Sequence, residues 1–478
     1  MNNLNFLVDV LKESSVFKTL EKNVKPGRTV CASGLSTINK SNIIYALCRL
    51  KGVTAFCLAS DEKEAQTLCN DLSCMGLRAY VYPVRDFNFL DFQSRSHEYE
   101  HARLKVLLKL INHECDVAIA CVDAAAQLTV PRNVLEQSVI EFEEGRELSL
   151  EKATKALTLL GYERFDAVEG SGQFSLRGGI LDFFMPDSDY PVRCEFWGDE
   201  ITDLSYFDIE TQRRFKKADK ITLSPSTEIV IEDRAALADK IEHKAKLLRS
   251  KNSAKAKEKL FSEAELIRSG AMIANADKFI NQIYDKPESL FDYLDRNTLV
   301  FASEFTAIQE RGKSMDFISN ETLMQGFEDG TLCRGFDRFA LTFNECTEFL
   351  QSHGTIVLEN FVHGSMPIKL SEIISFSTKQ LSAWGGSYKQ LKEDVDGLFT
   401  PESKGVIFAG TERAAKNLCD TFNADGINAV YSEGADKISK GELLVMQGAL
   451  SAGFEYPSQK FFAITYSQVS YRPEKSKK

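Results

Sequence analysis

Three stretches of this 478-residue chain carry side chains whose types and spacing could do chemistry. The first is Gly34-Leu-Ser-Thr-Ile-Asn-Lys-Ser41, close to the phosphate-loop pattern G-x-x-x-x-G-K-S/T. In a working loop the backbone amides cradle phosphate, the lysine reaches the outer phosphates and the hydroxyl holds magnesium. Here Asn39 replaces the second glycine and crowds the close backbone approach, while Lys40 and Ser41 remain. An acidic partner should end a buried strand. Asp61-Glu62 follows a strand but suits the cap of the next helix, and Asp199-Glu200 falls in a hairpin turn. The loop at Gly34, Asn39, Lys40 and Ser41 therefore reads as degenerate and without hydrolysis. The second stretch, His97-Glu98-Tyr99-Glu100-His101, is a literal H-E-x-x-H, which on a helix would put two zinc-ligating histidines on one face with Glu98 as base. With six histidines in the chain and no third ligand after a glycine turn, a structural helix is expected and no metal. The third stretch, Ser171 to Arg214, reads as a small antiparallel sheet that does not hide all of its large residues. Alternation puts Val192, Cys194 and Phe196 on one face of a strand and Arg193, Glu195 and Trp197 on the other. Arginine and tryptophan together are a hot-spot composition. On pattern alone, Trp197 could equally lie under a neighbouring domain, with Arg193 paired to Glu195 or Glu200.

The elements that must position these residues follow from periodicity. Thr29-Val-Cys-Ala, Val53 to Leu58, Ala79 to Tyr82 and Val117 to Val122 read as strands. Helical stretches lie between them at Lys40–Leu50, Glu62–Met75 and His97–Ile111, the last with an apolar stripe at Leu104, Leu107, Leu108 and Ile111. Strand–helix alternation implies a mostly parallel sheet covered on both faces. From Pro131 the pattern changes to a strand near Ser138–Phe142, a helix capped by Ser149 and the antiparallel segment, with Gly198-Asp199 as a tight turn. Residues 228–295 are helical, with a basic run from Lys244 to Lys259 read as a solvated face. Leu299-Val-Phe-Ala, Phe339-Ala-Leu-Thr-Phe and Thr355-Ile-Val-Leu read as returning strands, and a last α/β unit starts near Ile373.

Composition narrows the function classes. Lys plus Arg is 58 and Asp plus Glu 69, a net charge of −11, which argues against a dedicated nucleic-acid coat. No apolar run of membrane-spanning length and no secretory signal are present, so a cytoplasmic chain is expected. Eleven scattered cysteines without C-x-x-C favour reduced, buried thiols.

The blocks Arg177-Gly-Gly-Ile-Leu-Asp-Phe-Phe, Pro191-Val-Arg-Cys-Glu-Phe-Trp-Gly-Asp-Glu-Ile201 and Phe207-Asp-Ile-Glu-Thr-Gln-Arg213 resemble the module shared by the excision-repair protein UvrB and the transcription-repair-coupling factors of the Mfd family. That resemblance implies docking onto UvrA through Arg177, Arg193 and Trp197, where the family usually has phenylalanine in place of tryptophan. The last unit, down to Gly448-Ala-Leu-Ser-Ala-Gly-Phe-Glu-Tyr-Pro457, is similar to the domain that follows this module in the coupling factors and not in UvrB. The implied fold is α/β: a degenerate RecA/helicase-like parallel-sheet domain over 1–130, a UvrA-binding α+β insert over 131–217, completion of the first domain over 218–372, a small α/β domain over 373–470 and a charged tail over 471–478. The implied function is recruitment of UvrA in coupling stalled RNA polymerase to nucleotide excision repair. The implied partners are UvrA and, through the full-length protein, RNA polymerase and DNA. ATP, magnesium and the translocase motor are expected only in regions outside this sequence. The alternative is a UvrB-like nucleotide-dependent DNA-binding subunit. Phe87, Phe89 and Phe92, where UvrB grows a damage-probing hairpin, read here as packing residues.

Overall fold

The computed structural model describes residues 4–85, 97–137, 140–249, 253–270, 276–362 and 366–466. Phe87, Phe89, Phe92 and the tail over 471–478 lie outside the described residues. In chain order the first strands are β1 (Val30–Ser33), β2 (Ala55–Ala59), β3 (Ala79–Tyr82) and β4 (Val117–Cys121). Next come β5 (Ile140–Glu143), β6 (Glu163–Arg164), β7 (Gln173–Arg177), β8 (Ile180–Phe183), β9 (Val192–Trp197), β10 (Glu200–Phe207), β11 (Arg214–Lys217) and β12 (Lys220–Leu223). Then follow β13 (Leu299–Ser303), β14 (Thr355–Leu358) and β15 (Glu372–Ser375), and finally β16 (Lys379–Leu381), β17 (Lys404–Phe408), β18 (Ala429–Tyr431), β19 (Glu442–Met446), β20 (Gly453–Tyr456) and β21 (Phe461–Thr465).

The first sheet has the order β15-β1-β14-β13-β2-β4-β3 and every pairing is parallel. Both faces are buried, as a parallel sheet requires: on β1, Val30 and Ala32 join one core and Cys31 joins the other. The helix Thr37–Lys51 ends at Gly52 with φ +62°, a left-handed cap that only glycine adopts freely. The insert is a six-stranded sheet, β11-β10-β9-β8-β7-β6, with a two-stranded β5–β12 ribbon beside it and a core of its own. The last sheet, β16-β20-β21-β17-β19-β18, turns Phe408, Met446 and Phe454 into the same core as the helix Thr37–Lys51. The first and last units thus share one hydrophobic core.

Several expectations change. β12 pairs with β5, so the insert's strands run to Leu223, beyond 217. β15 pairs with β1, so the first sheet takes in Ile373, where a new unit was expected. Phe339–Phe343 is not a strand: a single bridge links Ala340 to Gln127, and Thr342 caps a helix from Phe343 to His353. The Thr342-x-x-Glu345 capping box, reciprocal in the structure, outweighs the apolar alternation. The basic run from Lys244 to Lys259 is not one helix, because one helix ends at Leu247 and another starts at Ser253.

Candidate functional site

The outer face of the insert sheet is ordered by cross-strand register. Two short turns, Gly178-Gly179 and Gly198-Asp199, close the β7–β8 and β9–β10 hairpins at the same end of the sheet. A Cβ on Gly179 would sit 2.7 Å from the Phe196 carbonyl oxygen, so glycine lets the hairpins pack closely. Register then sets Arg177 opposite Ile180 and Ile180 opposite Glu195, with Ser175, Asp182, Arg193 and Ser205 forming the next row.

Asp182 organises this face. It is buried, and Arg193 donates Nε to its Oδ1 at 2.7 Å and Nη2 to its Oδ2 at 2.8 Å, while Arg177 donates Nη2 to Oδ2 at 2.7 Å. Neither expected partner of Arg193 is used. Glu195 instead pairs with Arg214, which also reaches Asp203 at 3.0 Å. Arg193 further donates Nη1 to the Gln212 carbonyl at 3.1 Å and stacks 4.5 Å from the Phe207 ring. Charge-assisted, bidentate and stacked, Arg193 is held in one geometry.

The three predicted residues differ in exposure. Trp197 is 82% exposed, the most exposed large apolar side chain described. The Arg177 side chain is 49% exposed and that of Arg193 only 13%. Trp197 and Arg177 are open to solvent, whereas most of the Arg193 side chain is covered. Asp182 escaped the sequence reading. The signal was present: an outward-facing Asp between Leu181 and Phe183, two residues from a two-residue turn, needs a cation across the strand.

The degenerate phosphate loop has been filled by the protein itself. Gly34 (φ +79°) and Leu35 donate their amides to the carbonyls of Asn360 and Glu359, each at 3.1 Å. Lys40 is buried, and its Nζ lies 2.6 Å from Glu304 Oε1, 2.9 Å from Ser303 Oγ and 3.3 Å from Glu64 Oε1. Carboxylates thus stand around the ammonium where phosphate oxygens would be needed. Burial, reinforced by the charge of Glu304, pushes the nearby Glu359 carboxyl up to about 7. Asn39 lies within the helix, its Oδ1 accepting from Ser36 Oγ at 2.7 Å. Ser41 donates to Asp71 at 3.3 Å, and Asp71 accepts from the amide and hydroxyl of Ser451 in the last unit, both at 2.7 Å. Asp61 caps the next helix, accepting from the Glu64 amide at 2.7 Å.

The H-E-x-x-H segment has a packing role. His97 and His101 stack 5.9 Å apart, and Glu100 accepts from the Glu228 amide at 2.8 Å and the Thr227 hydroxyl at 2.9 Å. Burial raises the Glu100 carboxyl, but the hydrogen bond from His97, the charge of Arg85 and that backbone amide outweigh it and hold the group at about 2. Beside it, Arg103 donates Nε to Glu228 at 2.6 Å in a fully buried pair that ties the insert's exit to the first domain. Among the described residues no cluster of His, Cys, Asp and Glu could hold a metal ion, and no helix is long and apolar enough to cross a membrane.

A profile of the UvrB interaction domain matches residues 140–229, the lobe that carries Arg177, Arg193 and Trp197. The chain is also similar to proteins named transcription-repair-coupling factor. It is 26% identical to that of Bacillus subtilis (strain 168) over 98% of this chain and 41% of the relative, and 25% identical to that of Staphylococcus epidermidis over 82% and 33%. The chain resembles the N-terminal region of the transcription-repair-coupling factors. It spans about two-fifths of the length of the Bacillus subtilis relative.

Proposed function

We propose that this chain is the UvrA-recruiting part of a transcription-repair-coupling factor, acting in the cytoplasm to link a stalled RNA polymerase to nucleotide excision repair. The observation that carries the reading is Trp197, left in solvent on a sheet braced by the Asp182, Arg177 and Arg193 ion pairs, inside the lobe matched by the UvrB interaction domain. An isolated tryptophan on a rigid strand binds at little entropic cost, and the half-exposed Arg177 supplies a carboxylate-seeking fork on the same sheet. Contact with RNA polymerase and DNA, and any ATP- and magnesium-dependent translocation, belong to other regions of such a protein. This part works without a cofactor and without hydrolysis. The carboxylates around Lys40 support that assignment over a UvrB-like nucleotide-dependent subunit, because a nucleotide's phosphates would have to displace them.

The test is the affinity of the chain for UvrA from the same source at two salt concentrations, for wild type, Arg177→Ala and Trp197→Ala. Each variant should weaken binding by about 1–3 kcal/mol. Unchanged affinity in both would remove UvrA recruitment through this face.

A further inference from the structure

Cations converge on a cavity at the opposite edge of the first sheet from the degenerate loop. The loop follows the C-terminal ends of β1, β13 and β14, whereas this cavity of about 210 Å³ lies before the N-terminal ends of β1, β2, β13 and β14. Lys25 and Arg28 enter it from the segment before β1, Lys51 from the end of the helix Thr37–Lys51, and Arg296 from the turn before β13. No aspartate or glutamate lines it, in a chain with 69 acidic residues against 58 basic ones.

The cations are largely uncommitted. Among the described residues, Lys25, Lys51 and Arg296 make no ion pair, and Arg28 reaches only Glu372 at 3.4 Å. The Arg28 Nε is buried without a hydrogen-bond partner. His353 completes the rim, its Nε2 donating to the Thr298 carbonyl at 2.9 Å. A purely structural reading accounts for part of this, since Lys51 ends a helix, where positive charge complements the dipole. It does not account for Lys25, Arg28 and Arg296, which come from loops. Like charges gathered around a hollow repel one another unless an anion joins them, and a concave wall focuses their field inward.

We propose that this cavity binds the phosphate group of a small phosphate-bearing molecule, whose less polar part rests on Val53, Leu299 and Ile356. The size favours a small ligand. The volume equals that of about seven liquid waters, and the cations line this one pocket, whereas a nucleic-acid strand is tracked by a longer charged groove.

The experiment is calorimetric titration of the chain with inorganic phosphate, pyrophosphate and adenosine monophosphate. Lys51→Ser, Arg296→Ser and their combination are the variants, with Lys40→Met as a control at the degenerate loop. Both targeted side chains are exposed, so melting temperature and UvrA affinity should not change. Saturable binding is expected in wild type, weakened about fivefold by each single change and roughly 25-fold by both. A 5′-phosphorylated oligonucleotide separates the sources. If only the oligonucleotide binds, with affinity that rises with its length and falls steeply with salt, the small-molecule site is wrong. The proposal also fails if no probe saturates by about 10 mM, if binding survives the double change, or if Lys40→Met abolishes it instead.

Discussion

Replacing Asp182 with asparagine separates bracing of the insert's outer face from contact with the proposed partner. Wild-type Asp182 accepts charge-assisted bonds from Arg193 at 2.7 and 2.8 Å and from Arg177 at 2.7 Å. Asparagine keeps the shape but loses the charge, and turns an N–H₂ group toward donors on one side. Breaking a buried ion pair costs roughly 3–5 kcal/mol. Because the Arg193 and Arg177 side chains keep 13% and 49% of their exposure, water recovers some of that, and about 3 kcal/mol is expected. The readout is hydrogen exchange of the full chain, followed in peptides covering β7 to β10. A loss of that size should speed exchange there about 150-fold and leave the first sheet unaffected. UvrA affinity should fall in parallel, although Asp182 is buried from any partner. Exchange within about threefold of wild type, or an affinity loss without loss of protection, would refute the bracing argument.

Trp197→Ala should have the reverse profile, with unfolding changed by less than about 0.5 kcal/mol and UvrA binding weakened by about 2 kcal/mol or more. In a Trp384→Phe background, which leaves Trp197 as the single tryptophan, its emission should shift to the blue on adding UvrA, and a constant spectrum would place the indole outside the interface. Glu228→Gln removes the carboxylate that pairs with fully buried Arg103 and should lower urea stability by about 3–5 kcal/mol; a loss under about 1 kcal/mol would show that the network is dispensable. Asp71, pushed up to about 6 by burial, is an acid that prefers its neutral form when folded. Its contribution is complete below the unfolded value near 4 and is lost as pH rises through about 6, a change of about 3 kcal/mol. Asp71→Asn should remove that slope, so the variant gains on wild type between pH 5 and 7.5 in paired unfolding curves. Parallel curves would contradict the shift.

The parallel sheet and the insert's alternating strands were legible because each is written in local periodicity. Val192, Cys194 and Phe196 did turn inward, and Gly198 did take positive φ, at +65°. What stayed hidden depends on distant partners. The acid facing Lys40 most closely is Glu304, 264 residues away, and no local pattern couples them. The Asp182 partner of Arg193 was not visible because the nearby acids on the same strand and turn were Glu195 and Glu200, whereas the pairing follows from hairpin register. Phe339–Phe343 shows the limit of alternation when a capping signal sits at its end. The cavity before β1 and β13 gathers cations from segments hundreds of residues apart, so only the folded chain brings them together.

The order of strands in the first sheet bears on how the chain is made. β1 pairs only with β14 and β15, more than 300 residues later. During synthesis from the N-terminus, β1 waits without a strand partner until β14, which ends at Leu358, has left the ribosome. The insert closes through neighbouring hairpins between residues 173 and 217, and short-range closure is fast whereas distant pairing is slow. The insert thus has its native pairings available long before the domain that carries it. The nascent protein is exposed in the interval at the uncovered edge of β1, where chaperone capture or mispairing with another chain would act.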